Sequence, residues 1–581
     1  MSNDIPSTLP RKKLNVMWSL GALLLVLLLL FLFQLFGPNP PIIVSRETTY
    51  ITEPLRPDGL PDYERYVLDR YRKGVTPENN AAVPLLQVLF PGQVSPTDLR
   101  AIVDELGMEE AAPSRNALEV VVGETNRAAP WRWLFPRWTS QKNLLDVDEW
   151  AERMTGQAVW RPWTSDQMPP LAKWLDSNKG SLDLILEASR RPRYFAPSPI
   201  LLNDGQDLLV NMVFPQRNNM LIVLTQSIRE ACRVLLARAM WHLGEGRPMD
   251  ALQDLQALHR LSRLLSQGLT FVERSCARDV STMACYATET LLHHANLTVD
   301  EARQIHRNLI QLQPLSGEAR SLEHHERFFA LDVFVYVGSG GDPDQLNRLV
   351  ENLDLIFGPI ESSTIDWNIV LRETNRGYDR LATAVRLSDR AARTRAMKAL
   401  EKDLRARLAG RGRTLSDFAD EGLSRHERGQ LLVNWFLSQI ESQRALAAED
   451  RANAKLELTR LAAALAIYRA EHKRYPEKLE DLVPGILKEP PRDLFHAKPY
   501  IYRPHADGYL LYNTGEDGVD DDGRNAQTYF LESPPFDERG RLGRNPAEPQ
   551  PEILMGGDDI AIRVRRPAFK LPNLNPPSDE P

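Results

Sequence analysis

The sequence predicts a mainly α-helical protein with an N-terminal transmembrane helix, an α-helical array and a small C-terminal α+β domain. Three observations lead to this prediction. The stretch from Leu14 to Phe36 is apolar and uncharged, which is typical of a membrane span. Apolar residues recur at three- and four-residue spacing through much of residues 216–445, as in amphipathic helices. Runs rich in Tyr, Ile and Leu follow within residues 500–512, and that composition favours β-strands.

These features divide the 581-residue chain into consecutive parts. Proline-rich and polar composition predicts extended or mobile chain in a stalk and in a tail. The predicted parts are a cytoplasmic N-terminus (1–13), a transmembrane anchor (14–36), a stalk (37–62), a tryptophan-rich mixed region (63–215), the α-helical array (216–445), the α+β domain (446–566) and a disordered tail (567–581).

The apolar stretch is long enough to anchor the chain in a membrane. A helix rises about 1.5 Å per residue, so 14–36 can cross the roughly 30 Å hydrocarbon core. Arg11, Lys12 and Lys13 precede the stretch, and basic flanks stay in the cytoplasm. The sequence therefore predicts a single-pass protein of the inner (cytoplasmic) membrane with its bulk on the extracytoplasmic side. The alternative is a cleavable signal peptide, whose apolar core is usually shorter and is closely followed by a small-x-small site.

Composition bounds the partners and the redox chemistry. The formal charge is -7 and no long basic run occurs beyond the N-terminal triplet, so the chain has no electrostatic footprint for nucleic acid. Three cysteines, Cys232, Cys276 and Cys285, fit no zinc or redox spacing. We interpret them as small buried hydrophobic residues. The alternative is a disulfide between Cys232 and Cys276, which an oxidising compartment would permit.

Tryptophan is concentrated in one segment. Seven of the eleven tryptophans lie between Trp131 and Trp174, interleaved with prolines as WRWLFPRW, WRPW and MPPLAKW. Tryptophan buries a large area and keeps a polar N–H, so such a segment can form either a core or a ligand surface. We favour the core, and a surface that grips carbohydrate or peptide is the alternative.

The middle of the chain predicts a helical hairpin. Ile228, Cys232, Leu235 and Ala239 form one apolar stripe, and a second stripe begins at Ala251. Two glycines and a proline in GEGRP separate the stripes, as in a turn between antiparallel helices. The stretch ARAMWHLGEGRPMDALQDLQAL resembles a single tetratricopeptide-type hairpin, although an array of that family needs several stacked repeats and no fixed period recurs.

The C-terminal third predicts a long helix followed by a β-hairpin. Leu458, Leu461, Leu465 and Tyr468 lie on one helical face. Pro476 ends the helix, because proline lacks the amide hydrogen and disfavours helical angles in the residue before it. The apolar face of the helix has to be covered, and a helix laid across a small antiparallel sheet would cover it.

The motifs of this region have a family likeness. The order LTRLAAALAIYRAEHKRYPEKLEDL, KPYIYRPHADGYLLYNTGEDG and GGDDIAI resembles the globular domain of the major, G-type pseudopilin of type II secretion systems. The resemblance implies a pseudopilin-like α+β fold for residues 446–566. The N-terminus has neither the Gly-Phe junction nor the early Glu that pseudopilins carry. The missing junction argues against a filament subunit and for a recruited domain.

Acidic residues cluster in a glycine-rich loop of the same region. Aspartates at 517 and 520–522 lie among glycines at 515, 518 and 523, and a further aspartate pair follows at 558–559. Calcium takes six to eight oxygen ligands in flexible geometry, which such a loop can supply. The resemblance implies calcium ligands in TGEDG and in the aspartate pair before Ile560. The candidate ligands are Asp517, Asp558, Asp559, Asp520 and Asp522, and the alternative is a solvated acidic turn.

The sequence contains no nucleophile elbow and no phosphate-cradling glycine loop. We therefore expect a non-enzymatic protein that contacts the membrane and protein partners but no nucleic acid. A structural or interaction role in an envelope or secretion-related assembly is implied by the resemblance. The alternatives are an extracytoplasmic hydrolase or carbohydrate-binding protein that uses the tryptophan-rich region, and a tetratricopeptide-like scaffold that grips a peptide.

Overall fold

The computed structural model confirms that the protein is mainly helical and carries one small sheet. Residues of the predicted anchor and of the predicted tail lie outside the described part. Within the described part, no helix combines the length and apolar character that a membrane crossing requires. The structure describes residues 40–89, 96–108, 158–196, 220–341, 365–387, 389–408, 424–439, 442–506, 508–524 and 558–564.

The described helices and strands are numbered here in chain order. The helices are α1 (Tyr63–Arg72), α2 (Ala82–Val88), α3 (Pro96–Glu105), α4 (Pro169–Ser177), α5 (Lys179–Arg190), α6 (Met220–Gly244), α7 (Pro248–Leu265), α8 (Phe271–His294), α9 (Val299–Gln311), α10 (Gly317–Gly338), α11 (Trp367–Val385), α12 (Arg390–Leu408), α13 (Arg425–Gln439) and α14 (Ser442–His472). The strands are β1 (Ile501–His505), β2 (Gly508–Asn513) and β3 (Ile560–Val564).

The predicted helical hairpin is confirmed as α6 and α7, which pack against each other. Gly246 has a φ of +72° and makes the tight turn between the two helices. Pro248 occupies the first position of α7, where its missing N–H would have had no helical partner. The next two helices begin with capping boxes, Thr270 with Glu273 on α8 and Thr298 with Glu301 on α9. These local signals set where the array turns.

Helix α14 has 31 residues and belongs to two regions at once. Leu458, Leu461 and Leu465 are buried, as the sequence predicts. The sequence predicts a sheet over this face, and β3 does contact α14, but α8 and α9 cover the helix more extensively. One hydrophobic core therefore runs from the array into the sheet. The hydrophobic core therefore continues across the predicted domain boundary at residue 445.

A buried ion pair holds the sheet on the array. The Lys455 Nζ donates to the Glu289 Oε2 at 3.0 Å and to the Ala561 carbonyl at 2.9 Å. The Thr459 hydroxyl donates to the other Glu289 oxygen at 2.9 Å. The Nζ also lies 4.0 Å from the centre of the Tyr286 ring. Because buried charges are tolerated only when paired and hydrogen-bonded, this network fixes α8, α14 and β3 relative to one another.

The predicted hairpin is confirmed, and β3 completes the sheet in the order β1-β2-β3 with antiparallel pairing. Ile501 pairs with Tyr512 across β1 and β2, while Tyr509 pairs with Val564 across β2 and β3. A Cβ atom at Gly508 would collide with the Val564 carbonyl. Only glycine therefore permits the close approach of the two strands at this end of the sheet.

The described part of the predicted stalk lies against the helical body. The Asn368 side chain accepts from the Ile43 N–H at 2.9 Å and donates to the Pro41 carbonyl at 3.0 Å. The Asn375 side chain donates to the Thr48 carbonyl at 2.7 Å, and Ile51 is buried. Two amides of α11 thus satisfy backbone groups that an extended stalk would expose to water. Proline content alone did not reveal these partners, so residues 40–62 are not an extended stalk.

Three of the clustered tryptophans lie in the described residues, and their environment favours the core. Trp163 is fully buried and stacks on Trp241 with ring centres 5.9 Å apart. The Trp163 Nε1 donates to the Ala237 carbonyl at 3.2 Å. Trp160 and Trp174 are half-buried. The other four tryptophans of the segment, at 131, 133, 138 and 150, lie outside the described residues.

The cysteines are buried free thiols, as the sequence interpretation expects. Cys276 lies 3.8 Å from the Thr225 carbonyl. Burial raises the pKa of Cys276 and of Cys285 to about 11. The thiolate, which is the reactive form, is therefore scarce at neutral pH.

Candidate metal centre

The antiparallel pairing of β2 and β3 brings the two acidic segments together. Asn513, at the end of β2, pairs with Ile560, at the start of β3. The glycine-rich loop at 514–524 leaves β2 at the same end of the sheet where residues 558–559 enter β3. Carboxylates about forty positions apart in sequence therefore meet, since the end of one antiparallel strand lies beside the start of its partner. We call residues 514–524 with Asp558 and Asp559 the acidic loop.

Glycine at position 515 is what allows the two segments to approach. Gly515 has a φ of +57°, and a Cβ there would collide with the carboxylate and the carbonyl of Asp558. The His496 ring is 3.1 Å from the Gly515 carbonyl. The Arg451 guanidinium donates to the neighbouring Glu516 carboxylate at 2.8 Å. The loop is thus held from the side of α14 as well as from β3.

Asp558 organises the first turn of the loop. Its Oδ2 accepts from the Glu516 N–H at 2.8 Å and from the Asp517 N–H at 3.3 Å. Burial raises the pKa of Asp558, and the neighbouring Asp517 charge adds to this, while the loop amides oppose it. A cation near this carboxylate would stabilise its charged form, because an opposite charge favours ionisation.

Three carboxylates converge at this point. One oxygen from each of Asp517, Asp521 and Asp558 lies within 4.8 Å of the other two. The Asp558 N–H also donates to the Asp521 Oδ2 at 3.3 Å, and the Val519 N–H donates to the Asp517 Oδ1 at 2.8 Å. These hydrogen bonds set the direction of the carboxylates. The arrangement supplies hard oxygen ligands of the kind that calcium takes.

Asp559 braces the loop from inside. The residue is buried, and its Oδ2 accepts from the Asp521 N–H at 3.0 Å and from the Gly523 N–H at 2.7 Å. Burial raises the pKa of Asp559 to about 6, although both amide bonds oppose the shift. The role of this carboxylate is therefore to hold backbone amides of the loop, and the structure does not bring it into the three-carboxylate cluster.

Asp520 and Asp522 lie beside Tyr512 and Arg503 instead of beside the cluster. The Asp520 Oδ1 accepts from the Tyr512 hydroxyl at 2.8 Å, and the Asp522 Oδ1 accepts from the Arg503 Nη1 at 3.0 Å. The Arg503 Nη2 in turn donates to the Tyr512 hydroxyl at 2.7 Å. The Asp522 N–H and the Tyr512 hydroxyl lower the pKa of Asp520. These two carboxylates neutralise Arg503 on β1 and do not join the cluster.

The predicted ligand set is therefore divided by the structure. Asp517 and Asp558 enter the cluster, Asp559 binds backbone amides, and Asp520 and Asp522 bind Arg503 and Tyr512. Asp521, which was not among the predicted ligands, completes the cluster. The sequence signal for Asp521 is its position between Asp520 and Asp522. Which of these three carboxylates joins Asp558 becomes evident only from Arg503, which binds the other two.

Comparison of the chain with protein-family models, with curated proteins and with solved structures gives no match. The chemistry of the acidic loop therefore has to be judged from its own geometry. That geometry combines convergent carboxylates, glycine turns and backbone amides that orient them. It suits binding of a hard cation between the loop and β3.

Proposed function

We propose that this chain is a membrane-anchored extracytoplasmic protein whose pseudopilin-like C-terminal region is closed by a calcium ion. Its role is structural or protein-interacting, within an envelope or secretion-related assembly, and is not catalytic. The observation that carries the proposal is the convergence of Asp517, Asp521 and Asp558 within 4.8 Å. The order of α14, the β-hairpin, the glycine-rich loop and β3 supports the likeness to pseudopilins.

Calcium serves a structural purpose at such a position. Three carboxylates at this spacing repel one another, and burial disfavours the charge of Asp558 and of Asp559. A divalent cation offsets both effects and joins the loop to β3. Because the carboxylates meet only in the folded chain, the free energy of calcium binding adds to the stability of the fold.

The proposed anchor and the packing of the N-terminal segment together support a position of the body near the bilayer. Residues 14–36 are apolar and uncharged, and Pro41 already contacts α11 through Asn368. A chain extends by at most about 3.6 Å per residue, so the interval from residue 36 to residue 41 spans less than about 20 Å. In the proposed arrangement α11 therefore lies close to the membrane surface.

The test of the calcium site uses the full chain in detergent. The core runs between the array and the sheet, so the C-terminal segment alone would expose the apolar face of α14. Calcium is titrated while thermal unfolding is followed, with magnesium as the competing cation. The midpoint should rise with calcium, because a ligand that binds only the folded state stabilises it. Magnesium should have a smaller effect, because it demands near-octahedral geometry.

Matched aspartate variants decide whether the cluster is responsible. Asp521→Asn should abolish the rise, because it removes one charge of the cluster and keeps the shape of the side chain. Asp522→Asn is the control, since that residue binds Arg503 and has a φ of +59°, which asparagine adopts readily. Equal calcium stabilisation of the two variants would overturn the proposed site, as would an unchanged midpoint of the unsubstituted chain.

The membrane assignment has its own test. The full chain should remain in the membrane fraction after an alkaline carbonate wash, because an apolar helix that spans the bilayer is not released by loss of electrostatic contacts. A protease that cannot cross the inner membrane should cleave the body from the extracytoplasmic side only. Release of the full-length chain by the wash, or cleavage only from the cytoplasmic side, would contradict the assignment.

A further inference from the structure

A basic cleft lies where several helices of the array end. Its volume is about 670 Å³, which is within the usual range of roughly 300–1,000 Å³ for small-molecule sites. The ends of α5, α7 and α9 and the start of α10 surround it. Three serines and three glutamines line it, and no aspartate or glutamate is among its lining residues. Its cationic residues are Arg190, Arg191, Arg260, Arg263 and Arg320.

Arg263 is positioned at the cleft and has no carboxylate partner among the described residues. Its Nη1 donates to the Ser262 hydroxyl at 2.6 Å and to the Ser281 hydroxyl at 3.1 Å, and its Nε donates to the Gln313 carbonyl at 3.1 Å. Its Nη2 is buried and makes no hydrogen bond within the described residues. Burial lowers the pKa of Arg263 to about 10. Neutral oxygens therefore fix this guanidinium in place and leave its charge uncompensated.

The other arginines add to the positive charge. Arg191 pairs with Glu187 at 3.0 Å. Arg190, Arg260 and Arg320 are exposed, and none of the ion pairs of the described chain involves them. Burial and the nearby Arg190 charge lower the pKa of Arg260. Like charges thus face each other across the cleft.

Helix dipoles provide only part of the missing negative charge. The C-termini of α5, α7 and α9 each carry about half a negative charge, and the N-terminus of α10 carries about half a positive one, so the sum is roughly one negative charge. Four arginines of the cleft have no carboxylate partner among the described residues. The helix ends explain why arginines occur here, but a clear positive excess remains. Such an excess attracts anions.

We propose that the basic cleft binds an organic phosphate. A phosphoryl group presents three acceptor oxygens and up to two negative charges, which match several guanidinium forks and serine hydroxyls better than a single carboxylate does. A second cavity of about 250 Å³ adjoins the cleft, sharing Arg260, Gln311 and Leu312 with it. Leu252, Leu255 and Ile305 contribute to its walls. The phosphate occupies the basic cleft, and an apolar part of the same ligand occupies the second cavity.

Phenyl phosphate is the probe, because it combines a phosphoryl group with a small apolar group. Isothermal titration calorimetry of the full chain in detergent should show saturable binding of phenyl phosphate. Inorganic phosphate should bind at least tenfold more weakly, because it leaves the second cavity and its leucine and isoleucine side chains without a ligand group, and that factor corresponds to about 1.4 kcal/mol. Benzoate should bind more weakly still. Absence of saturable binding of phenyl phosphate overturns the proposal, and benzoate binding of equal strength overturns the assignment to phosphate.

Substitutions separate a ligand site from a structural cluster. Arg260→Gln should weaken phenyl phosphate binding about tenfold or more, as expected for loss of a charge-assisted contact. The melting temperature of the ligand-free chain should stay unchanged or rise, because the substitution relieves repulsion from Arg190. Arg395→Gln, on the exposed surface of α12 with its nearest carboxylate 4.0 Å away, is the matched control and should bind normally. Equal loss in both variants, or a lower melting temperature of Arg260→Gln with normal binding, overturns the proposal.

The phosphate can come from a soluble ester or from a lipid headgroup. Short-chain phosphatidic acid is added to the complex with phenyl phosphate to distinguish them. Displacement at concentrations similar to those of phenyl phosphate supports a cleft that takes lipid headgroups. Retention of phenyl phosphate supports a cleft that takes soluble esters.

Discussion

The acidic loop and the basic cleft both gather charges of one sign, but they hold them by different means. In the acidic loop, backbone amides of residues 514–524 donate to the carboxylates of Asp558 and Asp559. In the basic cleft, carbonyl and hydroxyl oxygens from distant segments accept from Arg263. The acidic loop lies at one end of the sheet, and the basic cleft is assembled from the ends of several helices.

The difference shows how each region can respond to its ligand. Carboxylates on a loop can move toward a cation and close the loop, so binding there is coupled to local folding. Guanidiniums at the ends of packed helices are already in position, so binding there needs little rearrangement. Calcium binding should therefore rearrange the acidic loop more than anion binding rearranges the basic cleft.

The largest expected effect on stability comes from the Lys455–Glu289 ion pair, which joins the helical array to the sheet. Lys455→Met leaves Glu289 buried and uncompensated, which should lower the free energy of unfolding by about 3–5 kcal/mol. Chemical denaturation followed by circular dichroism measures it. The double variant Lys455→Met/Glu289→Gln should be more stable than the single variant. Two separate unfolding transitions in the unsubstituted chain would contradict a core shared by the array and the sheet.

A smaller effect is expected at the turn of the acidic loop. Gly515→Ala forces a Cβ against Asp558 at a φ of +57° and should destabilise the chain by about 1–3 kcal/mol. Its calcium response should disappear, while phenyl phosphate still binds the basic cleft. Gly485→Ala is the control, because a Cβ there meets no atom within 4 Å. Loss of phosphate binding in Gly515→Ala would show that the two regions are not independent.

The pH dependence of stability should distinguish the two regions more finely. The folded-state pKa of Asp559 is about 6, above the value of about 3.9 in unfolded chains. The folded state thus holds the Asp559 proton more tightly than the unfolded chain does. The contribution of this proton to the free energy of unfolding is therefore complete below pH of about 4 and is lost as the pH rises through about 6. Without calcium, Asp559→Asn should flatten this dependence in melts between pH 4 and 7.5. An unchanged profile would contradict the burial of that carboxylate.

Calcium binding should in turn become weaker as the pH falls. Protons compete with the cation for the Asp558 carboxylate, whose pKa is raised by burial and by the neighbouring Asp517 charge. The rise of the melting midpoint caused by a fixed calcium concentration should therefore be larger at pH 7.5 than at pH 5. Binding of phenyl phosphate should lack this calcium-like trend, because arginine stays charged in that range. A calcium effect that grows toward acid would exclude carboxylate ligands.

The smallest effect is expected from the exposed arginines of the cleft. Arg190→Gln in the ligand-free chain should change the free energy of unfolding by no more than about 0.5 kcal/mol, in the stabilising direction, because surface charge interactions are weak. The effect should vanish at high salt, where the repulsion from Arg260 is screened. Thermal melts at low and high ionic strength measure it. A destabilisation that persists in high salt would indicate that Arg190 serves packing instead.

Local patterns explain which elements of the fold were predictable. The turn of the α6–α7 hairpin contains glycine and proline, and the turn of the β1–β2 hairpin leads into Gly508. The apolar stripe from Leu458 to Leu465 is buried. In each of these cases neighbours in sequence are also neighbours in space. The outer partners were not predictable in the same way, since α8 and α9 cover α14 from distant positions in the chain. The contacts of residues 40–51 with α11 are long-range for the same reason.

The helical class, the β-hairpin and the acidic, glycine-rich loop can all be predicted from the amino-acid order, because periodicity and turn chemistry act over a few residues. The folded arrangement was needed to show that Asp521 joins Asp517 and Asp558 while Asp520 and Asp522 face Arg503. It also decided that scattered arginines meet in one cleft. The physical reason is that side-chain direction and long-range proximity follow from how elements pack, and packing depends on the shape of the whole core.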